Sequence, residues 1–263
     1  MGKKTSEDNH SNRYHVPSLE RALDVLEYLA TISDPVSLST IAAEVGKTPS
    51  EVFRIVNCLV NRDYVIRDHR INGYSLSLRL FELSTTVPPV RRLFDAAMAP
   101  VADLVNQIRF SCHLSVLEGG HLCIIHEEEG LDAVHVHVRV GSRIPVTETS
   151  SGPLLLAHTV SDDAQLQTLL LQDEVYSRRS EAEREAVRRD IMRLQSCRCT
   201  VLQSKQHPGV YDVVAVVKYS GGRYVALGVP CFVGNGNPES VHQLKPHVLA
   251  AADRIQTALG IPW

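Results

Sequence analysis

Six residues, Gly46-Lys47-Thr48-Pro49-Ser50-Glu51, end one helix and start the next, which is the tightest local constraint in the chain. Glycine readily takes the left-handed conformation that closes a helix. Thr48 and Glu51 have capping-box spacing: the threonine oxygen accepts from the Glu51 amide and the carboxylate reaches back. Pro49 sits at the first helical position, where its missing N–H is no loss. Val52, Ile55, Val56 and Leu59 then recur at helical spacing, so residues 48–61 are expected to form a helix with one buried stripe. Upstream, Leu19, Ala22, Val25, Leu26 and Leu29 give a first helix after Pro17, with Ser18 as its N-cap. Asp34-Pro35 interrupts the chain, and a short helix from near Ser39 buries Ile41, Ala42 and Val45. A short helix, a tight turn and a strongly capped helix make the helix-turn-helix order.

A hairpin is expected next, with strands at 64–67 and 74–76 around the loop Asp68-His69-Arg70-Ile71-Asn72-Gly73, whose Asn-Gly pair is a strong turn signal. That is a wing. On the third helix Ser50, Arg54, Asn57 and Asn61 form the stripe opposite the buried one. Arginine bonds guanine O6 and N7 together, and asparagine bonds adenine N6 and N7. The N-terminal part of the second helix of such a motif meets the bases. The expected DNA-binding set is Thr48, Ser50, Glu51, Arg54 and Asn57 on the helix, with Arg67 and Arg70 on the wing against phosphates. The plain alternative is a solvated polar face. With 27 Lys+Arg against 30 Asp+Glu, a net charge of -3 and a pI near 6.5, charge argues mildly against nucleic acid. The case rests on pattern.

Residues 1–16 read as a disordered polar arm without a secretory signal, 17–78 as the winged helix-turn-helix, 79–110 as linker helices and 111–263 as a second domain. The second linker helix, from residue 90 to 108, is expected to break or restart at Pro100. Strands are expected at 111–117, 121–127, 134–140, 209–219 and 223–233. Helices are expected at 151–159, 161–171, 180–196 and from Pro238 to Gly260. Strands, helices, strands and a helix in that order suggest an α+β domain. No apolar run spans a membrane, and the six scattered cysteines read as reduced and buried. These readings point to the cytoplasm.

The rival class is a metal or hydrolytic protein, its winged helix a protein-docking module. His113, His126, His135 and His137 fall in strand-rich sequence near Cys112, Cys123 and Glu127, and His135 and His137 are expected to share a strand face. HExxH, CxxC and Gly-x-Ser-x-Gly patterns are absent. No cofactor is expected.

The order of motifs resembles the IclR family of bacterial regulators. The resemblance rests on residues 18–26 (Ser-Leu-Glu-Arg-Ala-Leu-Asp-Val-Leu), 38–42 (Leu-Ser-Thr-Ile-Ala), 50–59, and Gly73-Tyr74-Ser75-Leu76. It continues through Val140-Gly141-Ser142-Arg143-Ile144-Pro145 into residues 149–157. It implies a winged helix, a linker helix and a GAF-like effector-binding domain, in dimers or dimers of dimers that bind operator DNA and mostly repress. Ser150, Ser151 and Gly152 would open a helix whose first amides suit a small organic, carboxylic acid effector. By resemblance Val210 and Asp212 on one late strand, with Val229 and Cys231 on the other, would wall the pocket. Three positions depart from the family's habit: Asp63 where glycine is frequent, Pro153 where Lys or Arg is frequent, and Ser204-Lys205-Gln206 where an acidic pair is frequent.

Overall fold

The computed structural model describes residues 15–233 and 237–263, so nearly all of the expected N-terminal arm lies outside the described residues. The chain divides into two compact units between Val87 and Pro88. In the first, α1 (Pro17–Leu29), α2 (Leu38–Glu44) and α3 (Pro49–Asn61) precede a hairpin of β1 (Val65–Asp68) and β2 (Gly73–Leu76), followed by α4 (Arg79–Thr86). Val25, Leu29, Ile41, Ala42, Val52, Val56, Leu59, Val65 and Tyr74 form its core. Each large apolar side chain buried there contributes about 1.5–3 kcal/mol. The hairpin packs in through a bridge in which Val36 and Tyr74 exchange both backbone hydrogen bonds, at 3.0 and 2.7 Å.

Local details differ from expectation at the first two helices. Helix α1 is capped by Val16 without a side-chain bond, with Pro17 in its first turn, so Ser18 is inside the helix. Leu19 stays 57% exposed, because only the Val25 and Leu29 end of the stripe reaches the core. Ser37 caps α2 by accepting from the Thr40 amide. Asp68 pairs with Gly73, which shortens the wing loop to residues 69–72. Asp63 adopts φ 63°, a left-handed backbone that glycine enters freely and aspartate tolerates. That accounts for glycine being frequent there in the resembling family.

The second unit begins with α5 (Pro88–Ile108), which runs unbroken through the buried Pro100. An interior proline costs about 3 kcal/mol. Burying Leu93, Val101, Leu104 and Val105 along the same face outweighs that at about 1.5–3 kcal/mol each. The chain continues through β3 (Cys112–Glu118), β4 (His121–Glu128), β5 (Arg143–Pro145), α6 (Ser151–Thr159), α7 (Asp163–Leu170), α8 (Glu174–Ser177) and α9 (Glu181–Met192). It ends with β6 (Cys199–Gln203), β7 (Val210–Tyr219), β8 (Arg223–Phe232), α10 (Glu239–His242) and α11 (Lys245–Leu259). The strands form one antiparallel sheet in the order β5-β4-β3-β8-β7-β6.

Alternation sorts the two faces of this sheet. Leu114, Val213, Ala215, Val217, Val225, Leu227, Val229 and Cys231 pack with residues of α5 and α11. Leu122, Ile124, Val214, Val216 and Ala226 pack on the other face with Leu154 and Leu155 of α6. The expected strand at 134–140 is absent although its residues alternate. The edge of β4 is already taken, by β5 along His121–Cys123 and by Gly141 and Ser142 at Ile124. Residues 134–140 instead run as an irregular strap, with the Val138 amide donating to Glu127 Oε1 at 2.7 Å.

Candidate nucleic-acid interface and ligand cavity

Helix α3 starts where the sequence requires. The Thr48 amide and hydroxyl donate to Glu51 Oε2 at 3.1 and 2.9 Å, and the Glu51 amide donates to Thr48 Oγ1 at 3.4 Å. These bonds from Thr48 hold the Glu51 carboxyl below its usual pKa, with a smaller contribution from Arg21, whose guanidinium lies 3.6 Å away. Thr48 and Glu51 therefore use their side chains on each other and position the helix. Ser50, Arg54 and Asn61 are exposed and Asn57 is half-buried, so the polar stripe faces outward as expected. The exposed Phe53 and Cys58 also lie outside the core face; sequence reasoning passed over Phe53 and expected Cys58 to be buried with the other cysteines, of which only Cys112 and Cys231 are. On the wing, Arg67 donates to Asn72 Oδ1 at 3.2 and 2.6 Å and lies over the Tyr74 ring. Its guanidinium is turned onto its own hairpin. His69 and Arg70 remain exposed at the tip, with the Arg70 amide held by Asp68 at 2.7 Å.

In the second unit a cavity of about 270 Å³ opens on the α6 face of the sheet. Its floor comes from His113, Leu122, Ile124, Val210, Asp212 and Pro230. Thr149, Ser150 and Ser151 form one wall, and the strap residues from Val136 to Arg139 form another. Ser204, Gln206 and His207, from the loop between β6 and β7, complete it.

Four of the expected effector residues line this cavity: Ser150, Ser151, Val210 and Asp212. Among the described residues, the amides of Ser150 and Ser151 find no backbone acceptor. Gly152 is a correction. Its amide donates to Thr149 Oγ1 at 3.0 Å, so it is not free for a ligand. A Cβ at Gly152 would lie 2.2 Å from the Val146 carbonyl oxygen, so glycine is there for close packing.

Val229 and Cys231 are corrections too. Residues directly paired in an antiparallel ladder share a face, and Val229 pairs with Val213 while Cys231 pairs with Tyr211. Both therefore point into the core against α5 and α11. The residue of β8 that faces the cavity is Pro230, opposite Asp212.

The polar groups on the floor are held in unusual states. Burial pushes the Asp212 carboxyl up to about 6, with the Ser150 hydroxyl and His207 pulling the other way. Burial pushes the His113 imidazole down to about 4, so the ring is neutral near pH 7. Arg139 supplies a cation at the exposed rim. The loop carrying Ser204 and His207 is tied to the α6 wall by Lys205 Nζ, which donates to the Thr147 carbonyl at 2.5 Å. Thr147 in turn donates twice to the fully buried Asp173, at 2.8 and 2.7 Å.

The histidines grouped as metal ligands serve separate purposes. His126 meets Phe94 edge-on, His137 pairs with Glu127 at 2.6 Å, and His135 Nδ1 contacts the Asp132 carbonyl oxygen. His135 and His137 share no strand face, since that segment is irregular. Among the described residues, no three His, Cys, Asp or Glu side chains are grouped to hold a metal. No described helix is long and apolar enough to cross a membrane.

Residues 18–69 match the model of the IclR helix-turn-helix domain, and residues 88–257 match that of the bacterial transcriptional regulator IclR C-terminal domain. The chain is 26% identical over 248 residues to the probable transcriptional regulator SauR of Cupriavidus necator, covering 94% of this chain and 97% of that one. It shares its fold with an IclR homolog complexed with 4-hydroxybenzoate from Microbacterium hydrocarbonoxydans, at TM-score 0.75 and 22% identity over 92% of this chain and 99% of that one. The same holds for Pseudomonas aeruginosa HmgR, at TM-score 0.70 and 24% identity over 93% and 99% of the two chains. The unit that carries the capped α3 and the α+β second unit thus coincide with the two domains of this family, whose members are transcriptional regulators. The chain belongs to the IclR family of bacterial DNA-binding transcriptional regulators.

Proposed function

We propose that the chain is a cytoplasmic repressor that reads an operator through α3 and is controlled by a small carboxylic acid held in the cavity of its second unit. The observation that carries this reading is the meeting, in one cavity, of two free helix-start amides, a cationic rim and an apolar floor. The first amides of a helix, with its dipole behind them, favour an anion. Leu122, Ile124, Val136 and Val210 offer apolar surface for the remainder of the ligand. The solved relative carrying 4-hydroxybenzoate is named for an aromatic acid of suitable size. A relative from Klebsiella pneumoniae, 19% identical over 245 residues, is named as the repressor AllR, which fits the choice of repression.

On DNA, Arg54 and Asn57 take the base edges, Ser50 a base or phosphate, and the wing tip the backbone. Thr48 and Glu51 act by fixing the start of α3. Two copies would place their reading helices about 34–36 Å apart on a pseudo-palindromic site. The exposed Leu19 and Leu23 of α1 and Phe81 of α4 provide apolar surface that a second copy would cover. The effector acts by binding one arrangement of the paired reading helices more tightly than another.

The experiment is a calorimetric titration of the full chain with small carboxylic acids, repeated with Ser151→Leu. The side chain of Ser151 is buried at the head of α6, and leucine there fills the space before the free amides. Loss of binding in a variant with an unchanged unfolding midpoint supports the placement. Unchanged binding refutes it.

A further inference from the structure

The effector reading gives no role to a buried polar residue of the cavity floor, His113. His113 is 5% exposed and lies on the cavity floor, yet its Nδ1 has no hydrogen-bond partner among the described residues. The position is built for the ring. His113 pairs across the ladder with Gly228, and a Cβ there would come within 2.5 Å of the imidazole Cε1 and Nε2. Only glycine leaves room for the ring at this point in β8.

A neutral imidazole offers one donor and one acceptor nitrogen. Nδ1 is unpaired and closed off from the cavity, so the nitrogen that a ligand meets is Nε2, which makes no hydrogen bond among the described residues and is free to pair with a ligand group. Burial keeps the ring neutral, so it offers a hydrogen bond without a charge that would draw a second carboxylate into the site. The cavity, at about 270 Å³, falls just below the roughly 300–1,000 Å³ of ordinary small-molecule sites. Its ligand is small, and its few polar atoms must all be matched.

We infer that His113 is a specificity-determining residue that pairs with a hydroxyl of the effector, which makes the effector a hydroxycarboxylic acid and not a simple carboxylic acid. This inference rests on the reading of the cavity as the effector site. The α6 amides take the carboxylate, and the imidazole takes the hydroxyl.

The test uses the full chain and matched acids that differ by one hydroxyl: benzoate against its 2-, 3- and 4-hydroxy forms, and propionate against lactate and 3-hydroxypropionate. Affinities are measured by calorimetry for wild type, His113→Leu and Ser151→Leu. In at least one series the hydroxy acid is expected to bind wild type tenfold or more tighter, roughly, than its parent, since a site built to pair with a hydroxyl rejects the analogue lacking it. His113→Leu should erase that preference while still binding the parent acid. A preference that survives His113→Leu, or is absent from wild type, overturns the inference. If acids bind and Ser151→Leu abolishes binding, yet no hydroxyl preference exists, only the role of His113 fails. If no acid binds, or Ser151→Leu changes nothing, the effector-site reading fails with it. Should His113→Leu not fold, the ring nitrogen NMR signals of wild-type His113 decide: they must shift with the hydroxy acid and stay in place with its parent.

Discussion

Asp212→Asn should change how stability depends on pH, in a direction fixed by two buried groups that oppose each other. The folded carboxyl of Asp212 titrates near 6 against 3.8 for the free group, and the His113 imidazole near 4 against 6.5. Between about pH 4 and pH 6 the folded chain keeps a proton on Asp212 that the unfolded chain has lost. That contribution is therefore fully present below about pH 4 and is lost as pH rises through about 6. Over nearly the same window the unfolded chain carries a proton on His113 that the folded chain refuses, so this contribution grows with pH. Each shift spans about two units, or roughly 3 kcal/mol at about 1.4 kcal/mol per unit. In wild type the two nearly cancel. Asp212→Asn removes the falling arm and leaves the rising one. The variant should match wild type near pH 4 and exceed it by roughly 2–3 kcal/mol near pH 7, less the cost of burying an amide. Urea unfolding of the full chain at several pH values, followed by Trp263 fluorescence, measures this. Trp263 is the only tryptophan and lies in the second unit, under the Arg198 guanidinium at 4.1 Å. A variant with the wild-type pH slope, or one less stable than wild type near pH 7, would refute the assignment of Asp212 as a carboxyl whose burial outweighs its contacts with Ser150 and His207.

Two further outcomes follow from local geometry. Thr48→Ala removes the hydroxyl that completes the α3 cap and should cost about 1 kcal/mol of first-unit stability, seen as a lower thermal midpoint by circular dichroism. Gly152→Ala sets a methyl 2.2 Å from the Val146 carbonyl oxygen and 2.5 Å from Thr149 Oγ1; it should cost roughly 1–3 kcal/mol and weaken effector binding, because the α6 wall must shift. A variant of wild-type stability at either position would contradict the corresponding contact.

The features legible in the sequence were those fixed by neighbours in the chain. The cap from Thr48 to Glu51 and the left-handed Gly46 each depend on a few adjacent residues, and both are present; at the wing the turn closes on the left-handed Asn72, and Gly73 already belongs to β2. The faces of β8 were not legible in the same way. Whether Val229 or Pro230 meets the cavity depends on its register with β7, and a slip of one residue inverts every side chain. The strap at 134–140 failed as a strand for a similar reason: its alternation is genuine, but the edge it would have joined is occupied. Arg139 and His207 were missed because loop residues reach the cavity through tertiary closure, without a periodic signal. Strand β6 was missed because Cys199–Gln203 is half-buried without alternation. The sequence presents His113 as a metal candidate; that its ring lies over Gly228 on the cavity floor depends on the pairing of β3 with β8.

The central claim is that the exposed stripe of α3 reads duplex DNA by sequence. Selection of binding sites from a random duplex library by the full chain, in parallel with Arg54→Ala, tests it most directly. The account predicts that wild type enriches a pseudo-palindrome with half-sites about one helical turn apart. Arg54→Ala should bind that site more weakly by about 1–3 kcal/mol and lose preference at one base pair in each half-site. No enriched sequence from wild type, or an identical site and affinity from Arg54→Ala, would contradict it.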